Sequence, residues 1–383
     1  MGDYKIISAD THVVEPPDLY TSRFEPGLRD RAPRVERRTS QAGRDYDVWI
    51  VDGQEAGMMG TFVKAGQRFE DPEKIDFLGF WEDVRKAAYD PHEMIRELEM
   101  DGVWAACPQP SQGLFWYRLD DPELITATCR AYNDWIAEFC QPYPDRLKGI
   151  GVLNVDDVDE ACFEMEHCAE LGLVGVFIPC SPLWDRPYRD PVYEKLWWTA
   201  QDLDMPLLLH IGANRGGIPG CELTIDTADL TAAGFASIDY WVRYSMTCMI
   251  FSGVFDRYPK LTVGSVEHET AWIPHWLKQM DFFYKERPAQ SRKLGWRSKH
   301  GFLPTDYWHQ NFFVEFMEDD TGIQMRHIIG VDNMMWGNDF PHAESTWPQS
   351  MQYLDRLFAG VPEEDRRKIT SETAAKIFKF APG

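Results

Sequence analysis

The chain has 383 residues, 44% hydrophobic and 14% aromatic, with 39 basic and 62 acidic side chains for a formal net charge of −23. That apolar content can bury a large core, which excludes an intrinsically disordered chain. The negative charge excludes a nucleic-acid partner, because binding a phosphate backbone needs a basic patch that releases counterions, and the nearest thing to one (Arg29, Arg31, Arg34, Arg37 and Arg38) reads as a solvated loop.

Short apolar runs rich in β-branched residues alternate with helical patterns, which implies a parallel sheet. In chain order, strand 5–12 leads into 13–89, a stretch too long for an ordinary strand–helix loop. Its segment 47–52, followed by Gly53, predicts a hairpin strand, and the whole stretch predicts an insertion over the barrel mouth. Helix 91–100 precedes strand 102–110, helix 122–140 strand 147–154, helix 158–171 strand 174–180, and helix 188–203 strand 206–210. A second long loop, 212–236, follows. Helix 237–258 leads to strand 261–268 and helix 270–285; strand 311–316, helix 320–330, strand 333–339 and two C-terminal helices complete the chain. The expected fold is α/β, a (β/α)₈ TIM barrel with insertions after strands one and five, residues 1–383 forming one domain. The runner-up, a doubly wound open sheet, often carries a G-x-G-x-x-G fingerprint, which is missing after the first strand.

The eight cysteines form no CxxC pair and read as scattered reduced thiols. The first residues show no signal-peptide pattern and no run of 18 uncharged apolar residues occurs, so no membrane partner and a cytoplasmic location are expected.

Barrel enzymes gather their active sites at the C-terminal ends of the strands. The first strand ends Ser8-Ala9-Asp10-Thr11-His12. Alternation puts Asp10 and His12 on one face, a carboxylate and an imidazole able to chelate a cation, although an ordinary polar strand end looks the same. The fifth strand is an apolar run, Leu207-Leu208-Leu209, that stops at His210. The sixth ends Val263-Gly264-Ser265-Val266-Glu267-His268-Glu269, where alternation turns Glu267 and Glu269 to the opposite face from His268, as rim residues or as partners that fix a histidine tautomer. The eighth runs Trp336-Gly337-Asn338-Asp339-Phe340-Pro341-His342, and Asp339 could ligate a metal or act as a general base. Three of the ten histidines end predicted strands, and with the two carboxylates that coincidence points to a metal site. His342 adjoins it with no assigned role, and the other six histidines read as structural.

Asp10-Thr11-His12, the His210 strand end, Glu267-His268-Glu269-Thr270-Ala271-Trp272-Ile273-Pro274 and Trp336 to His342 resemble the amidohydrolase superfamily. Within it, the chain resembles the branch of aminocarboxymuconate-semialdehyde decarboxylase and the resorcylate and carboxyvanillate decarboxylases, a branch that also contains metal-dependent hydrolases. The resemblance runs from Ile7 to about Phe380. It implies metal ligands from barrel strands one, five and eight, here Asp10, His12, His210 and Asp339, with His268 as a catalytic acid/base or a ligand of a second metal. Two departures bear on the metal. Asp-x-His stands where much of the superfamily has His-x-His and the decarboxylases often have Glu-x-His or Glu-x-Ala, and the resulting donors suit zinc, manganese or iron about equally. The fourth strand ends Phe177-Ile178-Pro179-Cys180, without the Lys or Glu that bridges two metals in binuclear members, which favours one divalent ion over two.

A hydrolase would activate a metal-bound water, with Asp339 taking its proton and His268 polarising the carbonyl or protonating the leaving group. A non-oxidative decarboxylase would chelate the substrate's carboxylate and a neighbouring oxygen and protonate the carbon as CO₂ leaves. The expectation is the hydrolase, acting on an ester, thioester, amide or C–C bond of a bulky apolar or aromatic acid. The alternatives are the decarboxylase of an aromatic or unsaturated acid and a non-catalytic metal-binding barrel. Aromatics on the loops (Phe115-Trp116-Tyr117, Leu183-Trp184, Trp347) and one cation, Arg215, suggest the pocket, with Trp116, Trp184 and Arg215 as substrate contacts. The expected partner is a small-molecule substrate, and a homodimer is allowed.

Overall fold

The computed structural model describes residues 4–215, 232–293 and 297–381. Its barrel strands are β1 (Ile7–Val13), β5 (Ala105–Pro110), β6 (Gly151–Val152), β7 (Val176–Phe177), β8 (Leu207–His210), β9 (Val263–Val266), β10 (Phe312–Phe316) and β11 (Met334–Trp336). β6 to β11 pair in parallel in chain order, and β1 pairs with β5. A parallel bridge between Ala106 and Leu147 links β5 to the approach to β6. At the other end, the Asp339 N–H donates to the Asp10 carbonyl at 3.0 Å and the His12 N–H to the Phe340 carbonyl at 2.6 Å. These bonds bring the first and last strands together, and the sheet curls round as the expected α/β barrel.

The strands are apolar runs because both faces are covered, by the barrel interior on one side and helices on the other; β8 and β11 are buried throughout. Asp90, Asp121 and Asp157 start helices Pro91–Met100, Pro122–Cys140 and Val158–Glu170, each side chain accepting two N–H groups of the first turn. Gly337 lets the two ends of the sheet meet: a Cβ there would lie 2.4 Å from Asp10 Cβ and 2.8 Å from Asp10 N. The close approach it permits sets Asp10 beside the segment that carries Asp339. The helix expected over 237–258 is two, Tyr240–Phe251 and Val254–Arg257, parted by Gly253 at φ +74°.

The first insertion carries a three-stranded antiparallel sheet, β2 (Arg34–Thr39), β3 (Asp45–Val51) and β4 (Gln54–Met58). Asp52 and Gly53, at φ +50° and +79°, make the two-residue turn between β3 and β4, the left-handed pair that matches strand twist. Three members of the arginine cluster therefore stand on a strand, not a loop, and the cluster is ion-paired: Arg31 to Asp52 and Asp121, Arg37 to Asp47 and Glu82. Residues 216–231 of the second long loop lie outside the described residues. The seven described cysteines are buried and unbridged. Among the described residues no helix is long and apolar enough to cross a membrane.

Glu15 ties the insertion to the barrel. It is buried, and its carboxylate accepts the N–H of Gln112 at 3.0 Å and of Gly113 at 2.7 Å. Burial pushes its carboxyl up to about 7, against 4.5 for an ordinary glutamate. Between those values the unfolded chain is ionised while the native chain holds its proton, so wild-type stability falls as pH rises from 4.5 to 7 and levels off above. Glu15→Gln removes that slope but turns an amide NH₂ toward a backbone N–H, a mismatch of on the order of 1–3 kcal/mol. Urea unfolding should therefore show a larger deficit for the variant at pH 4.5 than at pH 8. An equal deficit at both would mean that Glu15 does not titrate in this window.

Candidate metal centre

Every group at the barrel mouth comes from a strand's C-terminal end: Asp10 and His12 from β1, His210 from β8, Glu267 just past β9, Asp339 and His342 just past β11. His12 Nδ1 lies 2.9 Å from the Pro110 carbonyl and His210 Nδ1 2.7 Å from the Ile211 carbonyl. A carbonyl only accepts, so each ring carries a proton on Nδ1 and turns Nε2 inward. There His12 Nε2 meets Asp10 Oδ1 at 3.1 Å and Asp339 Oδ1 at 3.4 Å, and His210 Nε2 meets Glu267 Oε2 at 3.1 Å. Asp10 Oδ1, both inward nitrogens and both Asp339 oxygens are buried and make no hydrogen bond, although all but Asp339 Oδ2 lie in close ion-pair contact within the nest. Buried donors and acceptors left unmatched cost about 1–3 kcal/mol each, more when charged, and a cation seated among them would satisfy those within its reach. Ligand atoms of Asp10, His12, His210 and Glu267 lie within 4.8 Å of one another, as do those of His12, Glu267, Asp339 and His342. These residues could hold a metal ion. The structure thus brings together Asp10, His12 and His210, and places Asp339 in the second, overlapping grouping.

The electrostatics of the nest suit a cation. Burial pushes the Asp339 carboxyl well above the usual carboxylate range, and Glu267 adds to this. Burial opposes a charge on His210, but its contact with Glu267 outweighs that and raises the ring to about 9. A cation would take the place of the His210 Nε2 proton and release it.

Two residues of this nest lie beyond the ligand set expected from the sequence. His342 stacks on His12 at 4.0 Å, with Nδ1 2.8 Å from Asp339 Oδ1 and Nε2 2.9 Å from Ser111 Oγ. Its signal was the Asp-Phe-Pro-His spacing, a turn in which the His342 N–H returns to the Asp339 carbonyl. Glu267 was expected to face away from His268 at the rim. β9 ends at Val266, however, and Glu267 is left-handed at φ +63°, so strand alternation no longer applies and the carboxylate turns into the nest. His268 stays outside both groupings of donors. Its Nδ1 is 3.1 Å from Ser265 Oγ and its Nε2 3.8 Å from Cys180 Sγ. Burial, with His210 nearby, pushes it down to about 3, which leaves the ring neutral.

The three expected substrate contacts lie in different surroundings. Trp116 is 2% exposed and packs edge-on against Tyr20 and Trp49, anchoring the insertion. Arg215 is bonded to the buried Asp156 carboxylate at 2.7–2.8 Å and to the Tyr117 and Leu119 carbonyls. Trp184 stands 59% exposed. Sequence cannot separate aromatics that pack a loop from those that line a pocket, nor show that a cation is already matched by a distant carboxylate.

A nest of carboxylates and imidazoles at the C-terminal mouth of a parallel barrel defines a class of enzymes built to hold a catalytic cation. Within that class the chain belongs to the amidohydrolase family, whose model matches residues 90–380. It is similar to the gamma-resorcylate decarboxylase of Rhodococcus jostii (strain RHA1), with 26% identity over 335 residues that cover 78% of this chain and 88% of that one. In fold it is similar to an amidohydrolase from Mycobacterium avium subsp. paratuberculosis K-10, with a TM-score of 0.76, 19% identity and coverage of 99% and 98%. It is also similar to the dihydroxybenzoic acid decarboxylase of Polaromonas sp. JS666, solved with bound manganese and the inhibitor 2-nitroresorcinol, with a TM-score of 0.62, 19% identity and coverage of 98% and 97%. The protein is an enzyme of the amidohydrolase family, and the relatives it is similar to include decarboxylases of the branch that the sequence resemblance implied. Hydrolysis of a carboxyl derivative, the reaction expected from the sequence, is overturned by these decarboxylase relatives. The same donors serve either chemistry, so a ligand set alone does not choose between them.

Proposed function

We propose that this protein is a metal-dependent, non-oxidative decarboxylase of an aromatic carboxylic acid. The observation that carries this is the convergence of buried donor atoms that make no hydrogen bond, from Asp10, His12, His210 and Asp339, in a chain related to gamma-resorcylate decarboxylase. Those four residues would hold one divalent ion. Imidazole and carboxylate donors suit manganese, zinc or iron, and the manganese in the Polaromonas neighbour favours the first. The bound ion would supply positive charge for the substrate's carboxylate and the oxygen beside it.

Asp339 holds the proton the reaction consumes. Its burial favours the protonated form, and a cation held by Asp10, His12 and His210 would supply positive charge that eases release of that proton. The proton passes to the ring carbon that bears the carboxylate. The bond from that carbon to the carboxylate then breaks, its electron pair restores the aromatic ring, and CO₂ leaves, with Asp339 as the carboxylate. His342, between Ser111 and Asp339, orients Asp339. His268, neutral and buried beside His210, offers a ring N–H to a substrate oxygen. We take residues 1–383 as one domain, working on a small molecule in the cytoplasm.

The test is a set of hydroxybenzoates, 2,6-dihydroxybenzoate among them, incubated with the manganese-loaded enzyme in D₂O. CO₂ and the corresponding phenol should appear in equal amounts, with one deuterium on the ring. Cleavage of a parallel set of aryl esters with no CO₂ from any acid would defeat the proposal.

A further inference from the structure

We infer that Glu267 is an additional ligand of the cation, seated in the coordination position that the substrate's carboxylate must take and displaced from it when substrate binds. This rests on the proposal that Asp10, His12 and His210 hold a metal.

Three observations lead to it. Glu267 Oε2 is 3.1 Å from His210 Nε2, and only Glu267 and His12 belong to both groupings of donors. His12 has one nitrogen free for a cation, since Nδ1 is held by the Pro110 carbonyl, whereas Glu267 has two oxygens. The Glu267 backbone is left-handed at φ +63°, a conformation that strains a residue with a Cβ and persists where its surroundings hold it. That turn is what swings the carboxylate into the nest. Finally, the Glu267 side chain is 27% exposed, against 6% for Asp10 and 2% for Asp339. It stands on the solvent side of the donors, the side from which a substrate arrives, and can leave without unpacking the barrel.

Charge makes displacement necessary. With Asp339 holding its proton, Asp10 and Glu267 already set two carboxylates beside one divalent ion. A substrate carboxylate would be a third, and like charges at such distances repel strongly inside a protein. Exchanging Glu267 for the substrate keeps the number at two. Glu267 is thus a resident stand-in for the chemical class the site accepts, an anionic carboxylate with an adjacent oxygen.

The measurement is manganese titration followed by the electron paramagnetic resonance of free Mn²⁺, on wild type, Glu267→Gln and Glu267→Asp, with His210→Ala as reference and circular dichroism to confirm folding. The glutamine keeps the size of the side chain, and the aspartate keeps its charge at a shorter reach. Both variants should bind one Mn²⁺ with a Kd raised about 10-fold or more, at least the effect typical of losing a group that supports a metal. Once loaded, Glu267→Gln should bind 2-nitroresorcinol more tightly than wild type, because no resident carboxylate has to leave. If His210→Ala loses manganese while both Glu267 variants keep wild-type affinity, the inference falls and the metal centre stands. If wild type takes up no manganese, both fall.

Discussion

Asp339→Asn lowers turnover by roughly 10²–10⁴, the range for a positioned acid–base group, while substrate binding weakens far less. The substitution keeps the shape of the side chain and its φ of +56°, which asparagine tolerates better than most residues. What it removes is the exchangeable proton and one negative charge beside His12 and His342. Steady-state kinetics with the best hydroxybenzoate, beside metal analysis of the same preparation, separates two ways of failing. Lost turnover with manganese still bound supports the proton-donor role. Unchanged turnover with full metal would show that another group delivers the proton.

His12→Ala abolishes metal binding rather than trimming it. His12 Nε2 takes part in both groupings of donors, and its Nδ1 bond to Pro110 fixes the ring before any cation arrives. Losing a group that merely supports a ligand typically costs 10–100-fold in metal affinity, so removing a preorganised ligand should exceed 10²-fold. Elemental analysis should find almost no manganese in the variant, and CO₂ release should fall to background. The ring also stacks on His342, so a modest drop in melting temperature is expected as well. A folded variant that keeps a full equivalent of manganese would remove His12 from the ligand set and with it the geometry proposed here.

The parts of this protein legible in its sequence are those encoded over a few neighbouring residues. Alternating strand and helix patterns are local, and they predict the barrel. The two-residue period places Asp10 and His12 on one face, and apolar runs that stop at His210 and near Asp339 mark strand ends, where barrel sites form. Tertiary structure decided what depends on residues far apart in the chain. Glu267 enters the nest because β9 ends at Val266, two residues before the predicted strand end, and the backbone turns left-handed, which only surrounding packing can impose. His342 matters because Ser111, 231 residues away, and the stack on His12 hold its ring against Asp339. Arg215 is matched by Asp156, 59 residues away, and Trp116 is buried by Tyr20 and Trp49. Periodicity is a property of the local chain, whereas burial and the choice of partner are settled only when distant segments pack against one another.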